Sequence, residues 1–98
     1  MTVVFARTVT PNSGHLSDTL KFTRKRIKAL KKAYGLKVSL NARFGGPAGQ
    51  LIMVSYHDNM ADLAKVRRKI MQGVLSGKIP QPKPGIVKKV EDAVWINI

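Results

Sequence analysis

Hydrophobic positions divide the chain into segments of two distinct periods. Val3–Val9 reads as an apolar strand, and Ser17–Tyr34 carries its apolar residues every three to four positions, as an amphipathic helix does. Alternation returns over Leu36–Phe44 and Gln50–His57, which a Gly-rich stretch joins as a hairpin. A second helical period covers Met60–Val74, and a last alternating segment covers Ile86–Ile98. The order predicts a βαββαβ unit of the α+β, ferredoxin-like class over residues 1–98 as a single domain. Its antiparallel four-stranded sheet would carry both helices on one face and leave the other open.

In the first helix Ser17 or Asp18 is placed to cap the N-terminus, and Gly35 to close the C-terminus. At about 100° per residue, Leu20, Thr23, Ile27, Leu30 and Tyr34 share the core-facing stripe. Lys21, Arg24, Lys25, Lys28, Lys31 and Lys32 gather on a separate arc. Arg26 breaks the pattern on the apolar side, beside Phe22, Ala29 and Ala33. It is expected to snorkel at the edge of a packed surface, the other reading being an anchor for an anion or a partner's carboxylate.

The second helix starts after Asp58 or Asn59 and buries Met60, Leu63, Val66, Ile70, Met71 and Val74. Arg67 projects from the middle of that buried side, where a cation needs a counter-charge or a route to water. Arg68, Lys65 and Lys69 point outward. Pro80, Pro82 and Pro84 stiffen the connector Gly73–Gly85 without making a PxxP spacing. The turn Gly45-Gly46-Pro47-Ala48-Gly49 lacks the Gly-Lys-Ser/Thr ending of a phosphate loop and precedes a strand.

Strand alternation assigns side chains to faces. Leu36, Val38, Leu40, Ala42 and Phe44 are expected to meet the helices, leaving Lys37, Ser39, Asn41 and Arg43 on the open side. A charged Arg7 is expected to avoid the covered face, which puts Val3, Phe5, Arg7 and Val9 outward. Placing Ser55 and His57 outward brings Leu51 and Met53 with them. In the last strand Val90, Val94, Ile96 and Ile98 look inward, and Glu91, Ala93, Trp95 and Asn97 outward. The open face thus expected mixes Phe5, Met53 and Trp95 with Arg7, Asn41, Arg43, Ser55, His57 and Glu91. Such a mixture suits a small-molecule site or a half-polar homodimer interface.

Composition adds one strong signal, a formal net charge of +13 from 18 Lys and Arg against 5 Asp and Glu. Charge of this density favours polyanionic surfaces or acidic ligands, and a solvated basic exterior is the bland alternative. The chain has no cysteine, so disulfides and thiolate metal sites are excluded and a reducing cytoplasm is expected. Met1 leads into a strand with no charged leader and apolar core, so no secretory signal is expected. No apolar run approaches the roughly 20 residues of a membrane span. His15 and His57 are too distant in sequence for a helical metal pair, and no metal or cofactor is expected.

The βαββαβ order over nearly the whole chain, with the junction Tyr56-His57-Asp58-Asn59-Met60-Ala61-Asp62-Leu63 into the second helix, resembles the dimeric α+β barrel superfamily. The small NIPSNAP-like and antibiotic-biosynthesis-monooxygenase-like members are most similar. The resemblance implies two ferredoxin-like subunits joined sheet to sheet, and a space between sheet and helices or loops able to hold a ligand. Haem-degrading members use an Asn, Trp and His constellation. Asn41, Trp95 and His57 are the same residue types, but their strand placement does not follow that pattern and the roles are not carried over.

Two functions follow as expectations, beside a blander third in which the chain is an assembly or accessory protein with no ligand. The first is a homodimer that binds a small anionic or aromatic molecule through Phe5, Arg7, Asn41, Arg43 and Trp95. If it is an enzyme, Arg7 and Arg43 would hold a carboxylate and His57 would shuttle a proton. The second is a nucleic-acid-binding module. The third strand, Leu51-Ile52-Met53-Val54-Ser55-Tyr56-His57, lacks the basic-Gly-aromatic signature of sheet-face RNA readers. Phosphate contact is therefore expected through Lys21, Arg24, Lys25, Lys28, Lys31 and Lys32.

Overall fold

A computed structural model describes residues 2–43 and 49–97. The elements run β1 (Val3–Pro11), α1 (Leu16–Tyr34), β2 (Ser39–Ala42), β3 (Leu51–His57), α2 (Met60–Leu75) and β4 (Val87–Ile96). One sheet in the order β2-β3-β1-β4 holds all four strands, and every pairing is antiparallel. The fold is the ferredoxin-like α+β arrangement that the periodicity implies. Phe44, Ile98 and the hairpin residues 45–48 lie outside the described residues.

Local chemistry sets the element ends. α1 begins two or three residues before the expected caps: its N-cap is His15, whose side chain makes no capping bond. Instead His15 Nδ1 lies 3.1 Å from the Asp18 carboxylate, and the Thr19 hydroxyl donates to the His15 carbonyl at 2.7 Å. Gly35 closes the helix at φ 67°, its N–H donating to the Lys31 carbonyl. Asn59 caps α2, its side-chain oxygen accepting from the Asp62 N–H at 2.8 Å. β2 is shorter than alternation predicts, with Leu36 and Val38 lying outside its ladder.

The buried apolar set is small: Val3, Val9, Leu51 and Met53 from the sheet, Leu30 and Leu63 from the helices, and Ile79 from the connector. α1 meets α2 through Tyr34, whose hydroxyl donates to the Lys69 carbonyl at 2.8 Å. Gly73 of α2 provides the room, because a side chain there would strike the Tyr34 hydroxyl and Ile79. Met60 and Met71, expected in the buried side of α2, are exposed, Met71 by 65%. In place of a closed interior, an open cleft remains between sheet and helices.

Register assigns the faces and corrects part of the expectation. Residues paired across neighbouring antiparallel strands share a face. The rows Ser55–Phe5–Val94 and Leu40–Met53–Arg7–Asp92 therefore lie on one side, the helix side. Phe5, Arg7, Met53, Ser55 and His57 sit under the helices, not on the open face. The opposite side carries the rows Tyr56–Val4–Trp95, Ser39–Val54–Ala6–Ala93 and Asn41–Ile52–Thr8–Glu91. Among the described residues the faces expected for β2 and β4 hold and those for β1 and β3 invert, though Val90, Val94 and Ile96 on the helix side of β4 stay exposed. The premise that failed is that a charged Arg7 must avoid the covered face: Asp92 meets it there.

Candidate functional site

The cleft between the sheet and the helices has a volume of about 380 Å³. Its walls are mostly apolar, with Leu30 from α1, Met53 from β3, and Leu63, Val66, Ile70 and Val74 from α2. Into this lining project Arg7 from β1, Arg26 from α1, and Arg67 and Arg68 from α2, together with Ser55 and His57 from β3. The size and the sparse polar groups are those of a small-molecule site.

Asp92 organises the cations. Arg7 Nε donates to one carboxylate oxygen at 2.8 Å and Nη2 to the other at 3.0 Å, a bidentate pair. Arg67 Nη2 reaches the same carboxylate at 3.7 Å. The Arg67 guanidinium also lies over the Phe5 ring, 4.7 Å from its centroid, so the ring fixes where the charge sits. The hydrogen bond from Arg7, aided by the charges of Arg7 and Arg67, holds the Asp92 carboxyl below its usual range against the effect of burial.

Arg26, like Arg7, is half-buried. Burial, and next the charge of Arg7, pull its pKa down, while Asp92 acts in the opposite sense. Among the described residues no carboxylate comes within ion-pair distance of Arg26. Arg68 stands exposed at the rim.

Beside the arginines lies a buried polar pair. Ser55 Oγ and His57 Nε2 are 2.8 Å apart on the same face of β3. Burial pushes the His57 pKa down, and the charges of Asp62 and Asp58 oppose this only in part. Burial thus favours the neutral imidazole, and its tautomer sets which of Ser55 and His57 donates across this contact. Among the described residues, no group of three or more His, Cys, Asp or Glu side chains is placed to hold a metal ion.

The expected site residues separate. Phe5, Arg7 and His57 lie in the cleft, and Asn41 and Trp95 are on the opposite face. Arg43 is bound elsewhere: its Nη1 donates to Gln50 Oε1 at 2.8 Å, and Gln50 Nε2 donates to Thr10 Oγ1 at 3.1 Å. Arg7 is already satisfied by Asp92; the other cations of the cleft are Arg26, Arg67, which touches Asp92 only at 3.7 Å, and Arg68 at the rim. Asp92 was missed, and the signal that would have found it is cross-strand: an inward Arg7 requires an acid opposite it.

On the outer surface Lys21, Arg24, Lys25, Lys28, Lys31 and Lys32 are exposed, and none takes part in an ion pair among the described residues. No helix is long and apolar enough to cross a membrane.

No family model matches the chain, and no curated protein does. Solved structures do resemble it. A NIPSNAP family protein from Agrobacterium tumefaciens strain C58 superposes with a TM-score of 0.74 at 18% identity, over 100% of this chain and 94% of the other. A NIPSNAP domain protein from Burkholderia xenovorans gives 0.79 at 11% identity, over 98% and 94%. A second Agrobacterium tumefaciens protein, described as a NIPSNAP family protein of unknown function, gives 0.72 at 21% identity, over 96% and 86%. At these identities the likeness concerns the fold, and the chain shares the ferredoxin-like α+β fold of NIPSNAP family proteins.

Proposed function

We propose that the protein is a homodimer that binds a small anionic or aromatic molecule in the cleft between its sheet and its helices. One observation carries the reading: Arg7, Arg26 and Arg67 line one apolar cleft, and the Asp92 carboxylate that two of them reach is held by Arg7. Unmatched positive charge beside apolar surface favours a ligand that brings an anion and an apolar body together. Phe5, under Arg67, provides an aromatic wall. If the bound molecule is also transformed, neutral His57 is the group suited to take up a proton. A reducing cytoplasm fits a chain without cysteine.

The fluorescent probe 8-anilinonaphthalene-1-sulfonate, an anion on an aromatic body, tests the cleft. It is expected to bind, and the folded Arg26→Gln/Arg67→Gln double variant to bind it at least tenfold more weakly. Unchanged binding in that variant would remove the cleft from consideration.

A second reading rests on the outer arc of α1, where six exposed cations lie outside the ion pairs. That arc would engage phosphate backbones without sequence preference and with a steep salt dependence. Reversing Lys25 and Lys28 to glutamate is expected to abolish duplex binding at low salt. A polarisation assay that finds no binding by the unaltered protein ends this reading.

A further inference from the structure

We infer that the cleft is fitted to a dianionic head, of the phosphate-monoester kind, carried on an apolar body. The inference rests on the cleft reading above and adds the charge of the ligand.

The charges around Asp92 are unequal in number and in commitment. Arg7 is fully engaged, with Nε and Nη2 on the two carboxylate oxygens at 2.8 and 3.0 Å. Arg67 touches the same carboxylate at 3.7 Å, beyond hydrogen-bond length, and takes its position from Phe5 as much as from the acid. Arg26 lines the same space with no carboxylate in reach among the described residues. Arg67 and Arg68 both stand exposed, Arg67 with 45% of its side chain accessible, so water screens part of each charge and Arg26 is the most enclosed of the three.

With Asp92 assigned to Arg7, Arg26 within the cleft and Arg67 over Phe5 remain the guanidinium charges set against its apolar wall, with Arg68 at the rim beyond them. A singly charged ligand would leave one of them without a counter-charge as the ligand excludes water, which is costly. A tetrahedral dianion satisfies both, because its three terminal oxygens accept from two planar forks at once. Asp92 repels such a head from the Arg7 side and so directs it toward Arg26 and Arg67. The body then lies along Leu30, Met53 and Val66. Arg67 exchanges its loose contact with Asp92 for the ligand.

Two probes of the same shape and different charge decide the matter: 1-naphthyl phosphate and 1-naphthyl sulfate, titrated by calorimetry at pH 8. The phosphate is a dianion there and the sulfate a monoanion. The phosphate is expected to bind at least tenfold more tightly. Its advantage should fall away as the pH is lowered through the second phosphate pKa of about 6. Arg26→Gln is expected to remove the preference while retaining sulfate binding. If that variant does not fold, the pH dependence of the preference in the unaltered protein decides alone. Equal affinity for both probes at pH 8, with both weakened by Arg67→Gln, overturns the dianion inference and leaves the cleft reading standing. Binding of neither probe overturns both.

Discussion

Arg7 and Asp92 face each other in the β1–β4 register, and the guanidinium closes on both carboxylate oxygens beneath the helices. The pair lets a basic residue occupy the covered side of a sheet whose neighbouring rows are apolar. It also bears on the charge of the cleft, because the carboxylate beside Arg67 is already bound to Arg7.

Replacing Asp92 by Asn is expected to destabilise the protein by about 2 kcal/mol, since a charge-assisted pair is lost and Arg7 stays where it is. Urea unfolding measures this. Exchanging both partners for apolar residues, Arg7→Met with Asp92→Leu, should recover much of the loss. The pH dependence has a definite sign. Asp92 titrates below its ordinary value, so its contribution is complete above the unfolded pKa of about 3.9 and disappears as the pH falls through the folded one. Asp92→Asn should therefore flatten the acid limb of the stability curve.

His57 gives a second pH effect in a different window. Burial favours its neutral form in the folded protein. Stability from this source is complete above the unfolded pKa of about 6.5 and declines as acid lowers the pH through the folded pKa. Melting temperatures between pH 8 and pH 5 should decrease, and His57→Gln should reduce the slope. An unchanged slope in the variant would show that His57 is not its source.

Gly73→Ala is expected to cost about 1–3 kcal/mol, because the added methyl meets the Tyr34 hydroxyl and Ile79. Tyr34→Phe removes the obstructing oxygen together with its hydrogen bond to Lys69. Combined, the two substitutions should cost less than their sum, a coupling that a double-mutant cycle in denaturant reads directly.

The order of elements was legible in the sequence because period and capping agree over long stretches, as at Gly35 and Asn59. So was the unusual placement of Arg26 and Arg67 on apolar stripes. What period alone could not supply was the face of β1 and β3. Both strands carry apolar residues on either side, so Arg7 decides the face of β1 and Ser55 with His57 that of β3; Arg7 is paired by Asp92, 85 positions away, and Ser55 and His57 satisfy each other. A one-residue change of phase moves every side chain across the sheet, which is why Phe5, Met53, Ser55 and His57 changed sides together. Met60 and Met71 were misjudged for another reason: helical spacing marks an apolar stripe but does not show that the helix and sheet close over it.

The same inversion changes which residues would carry the proposed homodimer. Phe5 and Met53 are under the helices, and the open face presents Val4, Ile52, Val54, Tyr56 and Trp95, the last two exposed by 67% and 63%. Val54→Lys is expected to convert a dimer into a monomer without loss of secondary structure. Sedimentation equilibrium and circular dichroism check the two halves of that statement. A monomer in the unaltered protein at micromolar concentration would end the proposal.

The open face is graded along its strands. Tyr56, Val4 and Trp95 form its apolar end, and the rows grow more polar through Asn41, Ile52, Thr8 and Glu91 to the pairing of Thr10 with Lys89. A gradient of this kind restricts symmetry. A two-fold axis parallel to the strands lays each row on its own copy, apolar on apolar and charged on charged. An axis across the strands at mid-sheet lays the aromatic end on the lysine end. Only when such an axis is displaced to the Tyr56–Trp95 row do like surfaces meet, and the polar ends then project past each other into water. A sheet of four strands thus carries, in the order of its rows, a rule for how two copies can be oriented.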